Sequence, residues 1–519
     1  MAEAGSSKHG NKLRFVIFVA SIVLGLAGAL VYWQVTRQSA DLKRTHELQQ
    51  AMLARMLPAS DPLRDDPLRR NLTDAEAYRQ MLVRELAPQV SLTVEEARQR
   101  LNEEANLAAR DPRRDAKDKA QHLITAGGFL EAIRLLDDAM AAASPPPAWE
   151  LLIAKGDAQF AGFDLKESEQ TYRQAADLVN EKAQPFPWIA AQAKIAGSLE
   201  ARARYAEAEP IRSRIVRKTL DQFGADNPDS AAALNNYASV LCHLRRYSDA
   251  EPLYRRALTL TEKKFGRNHP KAVAILDNLA SLYSGSGNYR QAESLYGQAL
   301  EVRENALGRD HSEVAENLNN LGELYVREGR YADAESSLQR AIDIWRTTMP
   351  ENPKTAVALR NLGAAYRNQG KLSSAKEAFE KALSLREKIL GPEHPDVARS
   401  VYDLGLIYYR QNNLADAEKS FVRARAIQEK TMPDSVELAL TLQYLASVQF
   451  AAGQPNDAEK TYQREIALRE KIQGEKHPGL ALALESYAAF LRQIGKTAEA
   501  AQVGTRAGNI RLKLATEEE

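Results

Sequence analysis

The chain has almost no cysteine: Cys242 is the one thiol among 519 residues. A single thiol closes no intrachain disulfide and builds no cysteine cluster for zinc, and it leaves the redox compartment open. Charge of one sign is also lacking, since 70 Lys and Arg meet 69 Asp and Glu for a formal +1. No field of that size steers nucleic acid or a polyanionic substrate to the surface, so no nucleic-acid partner is expected. With 21 Pro and 27 Gly the composition is not that of a disordered or fibrous chain. Motifs of chemistry are missing too. There is no HExxH, no nucleophile elbow and no convincing carboxylate cluster. Gly495-Lys496-Thr497 has the tail of a phosphate-binding loop, but Phe490 stands where that loop needs its first glycine. The expectation is a non-enzyme with no cofactor, no metal and no catalytic residue.

One long hydrophobic run is present. Phe15 to Trp33, FVIFVASIVLGLAGALVYW, carries no charge and is long enough, at about 1.5 Å per residue, to cross a hydrocarbon core of about 30 Å. Residues 1–14 form a basic tail with Lys8, Lys12 and Arg14, and 15–35 read as a transmembrane signal anchor. A short basic tail stays in the cytoplasm, so the remainder is expected outside it, in a periplasm if the host is bacterial. The alternative is a secreted chain cleaved after Ala27-Gly28-Ala29. Residues 36–57 read as a juxtamembrane helix. Together with the small-residue line Ser21, Gly25 and Ala29, it would join two copies into a homo-oligomer. Prolines and charges mark 58–72 as a linker, and 73–112 read as a helical cap region.

Beyond that, the chain repeats itself. Ala238, Ala280, Gly322, Gly363, Gly405, Ala446 and Ala488 recur every 41 or 42 residues, and each is followed by an alanine 12 residues later. Large residues such as Tyr283, Tyr325, Tyr254 and Phe379 fall between them. Small residues on facing positions let two helix axes approach closely, and aromatics fill the space beside them. Gly287, Gly329, Gly370, Asn412, Gly453 and Gly495 stand between the two halves, where a turn needs φ > 0. One such hairpin cannot bury its apolar faces alone, so the unit must stack. The spacing places seven regular repeats in 223–510 and more divergent ones in 113–222, about ten in all, with a polar tail at 511–519.

This small–large pattern resembles the tetratricopeptide repeat. The linkers Phe265-Gly-Arg-Asn-His269-Pro270, Leu307-Gly-Arg-Asp-His311 and Leu390-Gly-Pro-Glu-His394-Pro395 are similar to those of kinesin light chains and related bacterial proteins. The resemblance implies an all-α fold, a right-handed superhelical α-solenoid whose concave face binds peptides or partner proteins. His269, His311, His394 and His477 are one or two repeats apart and cannot converge on one metal. With Pro270, Pro395 and Pro478 at the next position, they read as helix starts.

Two residues before each small residue stand Asn236, Asn278, Asn320 and Asn361, then Asp403. In tetratricopeptide proteins an asparagine here often holds the backbone of an extended peptide; the alternative is that it satisfies neighbouring helices. Neighbouring inward positions supply Arg327, Arg360, Arg367, Arg399, Tyr402, Tyr409 and Arg410. Arginine pairs bidentately with carboxylates, and Tyr and Arg dominate interface hot spots. The expected site is therefore a concave face that takes an extended, acidic partner segment. The expected function is a membrane-tethered interaction scaffold or adaptor. The alternative is an assembly subunit whose solenoid stays packed against other subunits of a membrane complex.

Overall fold

The structure is a computed structural model that describes residues 43–45 and 47–52, parts of 79–90, and 92–517 except 143–148, 163 and 349–351. The first long helix, α1 (Val94–Arg110), starts at a capping box in which Thr93 and Glu96 satisfy each other's backbone N–H groups. Ten hairpins follow among the described residues. They are α2–α3 (Ala116–Ala126, Phe129–Ala142), α4–α5 (Trp149–Ala161, Leu165–Asp177), α6–α7 (Pro185–Ala201, Tyr205–Phe223), α8–α9 (Ala231–His243, Tyr247–Phe265) and α10–α11 (Pro270–Gly285, Tyr289–Leu307). Then come α12–α13 (Ser312–Glu328, Tyr331–Thr348), α14–α15 (Pro353–Asn368, Leu372–Leu390), α16–α17 (Pro395–Arg410, Leu414–Thr431), α18–α19 (Val436–Ala451, Pro455–Gln473) and α20–α21 (Pro478–Gln493, Thr497–Glu517).

Two devices shape each unit. The first is the close approach of its two helices. Gly363 lies so near the Phe379 ring that a Cβ there would sit 2.7 Å from the nearest ring carbon, and Gly405 stands likewise 2.8 Å from Phe421. The second is the turn, where Gly287, Gly329, Gly370, Gly453 and Gly495 all have positive φ and Asn412 has φ 57°. Ala203 and Arg245 hold the same left-handed conformation in the α6–α7 and α8–α9 turns, although neither is a residue that favours it. Apolar faces then merge between hairpins, as in the cluster that runs from Val216 through Tyr254 and Leu279 to Leu324.

The helix starts follow from the histidines. Nδ1 of His269, His311, His394 and His477 accepts the backbone N–H two residues on, at 3.2, 3.2, 3.1 and 3.0 Å. Asn352 does the same at α14 through its Oδ1, at 2.9 Å.

The membrane expectation is corrected. The anchor at 15–35 and the basic tail lie outside the described residues. Among the described residues no helix is long and apolar enough to cross a membrane. The physical reason is that their apolar faces are narrow stripes used between hairpins, with charge on the other side, as in α17, LADAEKSFVRARAIQEKT. The placement across a membrane, with a cytoplasmic N-terminus or with secretion as its alternative, is therefore withdrawn. So is oligomerisation through the anchor and the juxtamembrane helix. The described part of that helix, 43–52, turns inward on its own chain. Leu48 and Met52 have no exposed surface, and the Gln49 amide meets His122 Nδ1 at 2.9 Å.

Candidate functional site

The first helices of successive hairpins lie side by side, and the asparagine series falls along that line. Each of these residues sits next to another polar side chain at the position before it, as in Asn235-Asn236 and Asn319-Asn320. The two positions meet across the junctions. Asn278 donates to Asn235 at 3.1 Å, and Asn361 donates to Asn319 at 3.2 Å. Arg360 Nε donates to the buried Asp403 at 2.5 Å. Tyr444 meets Tyr402 edge-on with ring centroids 5.9 Å apart. Gln443 reaches Ser486 at 3.4 Å. In each case the later hairpin's second position touches the earlier hairpin's first, so these pairs form the rungs of a ladder along the solenoid.

One junction departs from this. Asp277 should meet Asn320. Instead Arg303, rising from α11, donates to Asp277 at 2.5 Å, and Asn317 donates to its other oxygen at 3.1 Å. Burial pushes the Asp277 carboxyl above the usual range, against the opposing pull of Arg303. Asn320 is left half-buried, and its side chain makes no hydrogen bond among the described residues. Asn236 on the first regular hairpin stands in the same condition.

The arginines separate in the same way. Arg360 is desolvated, yet the Asp403 carboxylate outweighs that and holds its guanidinium above the usual value. Arg327 is exposed and pairs within its own helix with Glu323 at 2.8 Å. Arg399 lies 3.7 Å from both Asp396 and Glu437. Arg367 is half-buried, its Nε is buried with no hydrogen-bond partner, and no carboxylate pairs with it among the described residues. Beside it, exposed Arg410 extends Nη1 to the Arg367 carbonyl at 3.4 Å. Tyr409 is half-buried. Burial raises the Tyr402 hydroxyl's pKa, so it stays a neutral donor.

The structure thus brings Arg367 next to Arg410 and Arg360 next to Asp403. It ties Asn278 and Asn361 to neighbours, and it leaves Asn236 and Asn320 open. Sequence reasoning places Asn319 on the inner face beside Glu316 and Glu323, but misses Asn235 and Asp277 in the ladder's other half. The signal was there, in polar dipeptides recurring with the repeat. Among the described residues no group of three or more His, Cys, Asp or Glu side chains could hold a metal ion.

Comparison with known proteins agrees with this architecture. A tetratricopeptide repeat profile matches residues 189–263, 229–305, 275–347, 313–388, 354–430 and 437–513, and a second matches 117–183. None of the curated proteins matches the chain. Similar solved structures include a candidate kinesin light chain from Podosopora anserina with nearly identical TPR-like repeats, at 24% identity over 38% of this chain and 94% of that one, TM-score 0.35. They also include BtubC (BKLC) from P. vanneervenii, at 21% identity over 47% of this chain and 93% of that one, TM-score 0.37. A third is the apo form of RapI, at 15% identity over 47% of this chain and 99% of that one, TM-score 0.37. With profile matches covering more than half of its length, the chain belongs to the tetratricopeptide repeat family.

Proposed function

We propose that this chain is a non-catalytic scaffold for protein–protein interaction, which holds an extended, acidic partner segment against the first helices of a right-handed solenoid. Tetratricopeptide repeats generally serve such roles. The observation that carries the finer reading is Arg367, a half-buried guanidinium that no carboxylate pairs with among the described residues, where Arg327, Arg360 and Arg399 each have one. A buried, unpaired donor is unfavourable unless a partner satisfies it. Arg410 beside it doubles the positive charge. Asn320, one hairpin earlier, offers an amide that can both donate to and accept from a peptide backbone. The other inward residues, Asn236, Asn278, Asn361, Asp403, Arg327, Arg360, Arg399, Tyr402 and Tyr409, would border the same segment.

The test is selection of a displayed 12-residue random peptide library on the full chain, followed by affinity measurement of the enriched peptides. Asp and Glu should dominate them. Arg367→Ala and Asn320→Ala should each weaken binding by about tenfold or more, the loss of one charge-assisted or backbone hydrogen bond, while exposed Arg267→Ala should not. Enriched peptides without acidic residues, or equal binding by all the variants, would end the groove reading.

A further inference from the structure

The N-terminal core does not stop at the first hairpins. Leu48, Met52, Leu82, Val83, Leu86 and Leu101 belong to one buried cluster with residues of α2 to α4, and two side chains from far along the sequence pack against it: Val357 of α14 and Leu390 at the end of α15. Val357 shares a helix stripe with Arg360, Ala364 and Arg367, at spacings that keep one face of a helix. The N-terminal core therefore rests on the beginning of the stripe whose other end carries Arg367.

Burial along the repeats marks the same place independently. Leu390 occupies the register of Phe265 and Leu307, the last residues of α9 and α11. Those two are exposed, at 40% and 42%, whereas Leu390 is half-buried. At the helix starts, Asn352 and His394 are buried with Pro353 and Pro395, while Pro270, His477 and Pro478 are exposed. The starts of α14 and α16 are thus more covered than those of α10 and α20, although Ser312 at the start of α12 is buried too and Phe223, at the Leu390 register in α7, is likewise half-buried.

We infer that the Val357–Leu390 surface is a docking site for an apolar helical face, and that the chain's own N-terminal core, with helix 43–52 in it, is the resident occupant. The N-terminal region then acts as a plug over one end of the inward stripe. Helix 43–52 is itself amphipathic, with Leu48 and Met52 buried and Lys43, Arg44 and Glu47 exposed. Its hold on the rest of the core includes the Gln49–His122 contact and the charge of Arg44 near Glu96. Against the solenoid, the two contacting side chains stay half-buried, which leaves a small contact that a partner's helix can compete for. A partner that reaches Arg367 with an acidic segment and carries an apolar helix beside it would displace the plug.

The experiment uses the full chain and needs no partner. Hydrogen exchange is followed in the wild type, Val357→Asp, Leu390→Asp and Met52→Asp. Either solenoid-side substitution should speed exchange in 43–52 and 82–101 by tenfold or more, and Met52→Asp should do the same in 352–360, with 436–517 unchanged in all three. A labelled peptide of residues 40–57 should bind Met52→Asp at least tenfold tighter than wild type, and adding Val357→Asp should abolish that binding. If Val357→Asp and Leu390→Asp disturb only their own helices, or if the peptide binds wild type and Met52→Asp equally, the plug does not exist. Should Met52→Asp unfold the N-terminal core outright, the two solenoid-side variants still decide. None of these outcomes depends on whether the stripe reads acidic segments.

Discussion

Gly363→Ala sets two effects of opposite sign against each other. In the middle of α14, alanine is favoured over glycine by about 1 kcal/mol through helix propensity. The new Cβ, however, would lie 2.7, 2.8 and 2.9 Å from three carbons of the Phe379 ring, where carbon atoms at rest keep about 3.5–4.0 Å. The ring cannot swing aside, because it is 1% exposed and held by Ala375, Leu404 and Ile407. Overpacking of this kind costs about 1–3 kcal/mol, and a confined ring places it in the upper half. We expect a net loss of about 1–2 kcal/mol, a factor of roughly 5–30 in local opening. Repeat arrays need not unfold in one step, so the assay is native-state hydrogen exchange in α14 and α15 rather than a single midpoint. Gly297→Ala is the control. It also lies inside a helix, but nothing stands within 4 Å of its new Cβ, so it should slow exchange in α11. In a Phe379→Ala background the clash is gone, and Gly363→Ala should become stabilising, a reversal that only direct coupling gives. If Gly363→Ala leaves exchange unchanged or slower while Gly297→Ala behaves as stated, the close-approach account of the repeat is wrong.

Burial pushes the Glu465 carboxyl up to about 7, against the opposing hydrogen bond from Arg469 at 2.7 Å, and leaves its second oxygen without a partner. Between about pH 4.3, where an unfolded glutamate loses its proton, and about pH 7, the folded chain holds the extra proton. Stability of the α18 to α21 region should therefore fall as pH rises through that window and level off above it. Glu465→Gln should flatten this in urea titrations, and an unchanged slope would refute the assignment. Arg245 has φ 58°, so Arg245→Gly should raise local stability by about 1 kcal/mol, read as slower exchange in α8 and α9. His394→Ala should lose about 1 kcal/mol of capping, while His394→Asn, which copies Asn352, should keep most of it in the same urea titrations.

The hairpins were legible because their cause is local and repeats. A small residue every 41 or 42 positions is what two close helices require, and a glycine between them is what a turn with positive φ requires. The histidines were legible as caps for the same reason. Ala203 and Arg245 escaped because they are exposed residues held left-handed by the turn's backbone hydrogen bonds, Arg204 N–H to the Leu199 carbonyl and Arg246 N–H to the Leu241 carbonyl at 2.9 Å each, so their identities give no sign of it. The plug escaped for a different reason. Leu48 and Val357 are about 300 positions apart, and no period or motif links them. The apolar run at 15–33 suggested a membrane, but that expectation drew on a segment outside the described residues and finds no support among the helices described.

The inward asparagines show why one repeated position can serve two ends. A side-chain amide has two donor hydrogens and two acceptor lone pairs, so Asn278 and Asn361 spend only part of their capacity on their rungs. Their orientation is nonetheless set by the neighbouring hairpin, and an amide fixed in that way meets a peptide in one geometry. Asn320 is different because of a residue outside the inward face. At the register of Thr261 and Trp345 the α11 helix carries Arg303, and its guanidinium takes the carboxylate that would have completed the rung. Thr261 is too short for that, and Trp345 has no charge to do it with. The residue at this one position in the second helix thus accounts for an asparagine on the first helix of the next hairpin being left without a rung. If the stripe binds a segment as proposed, a change at that position would alter what it takes without altering the residues that line it.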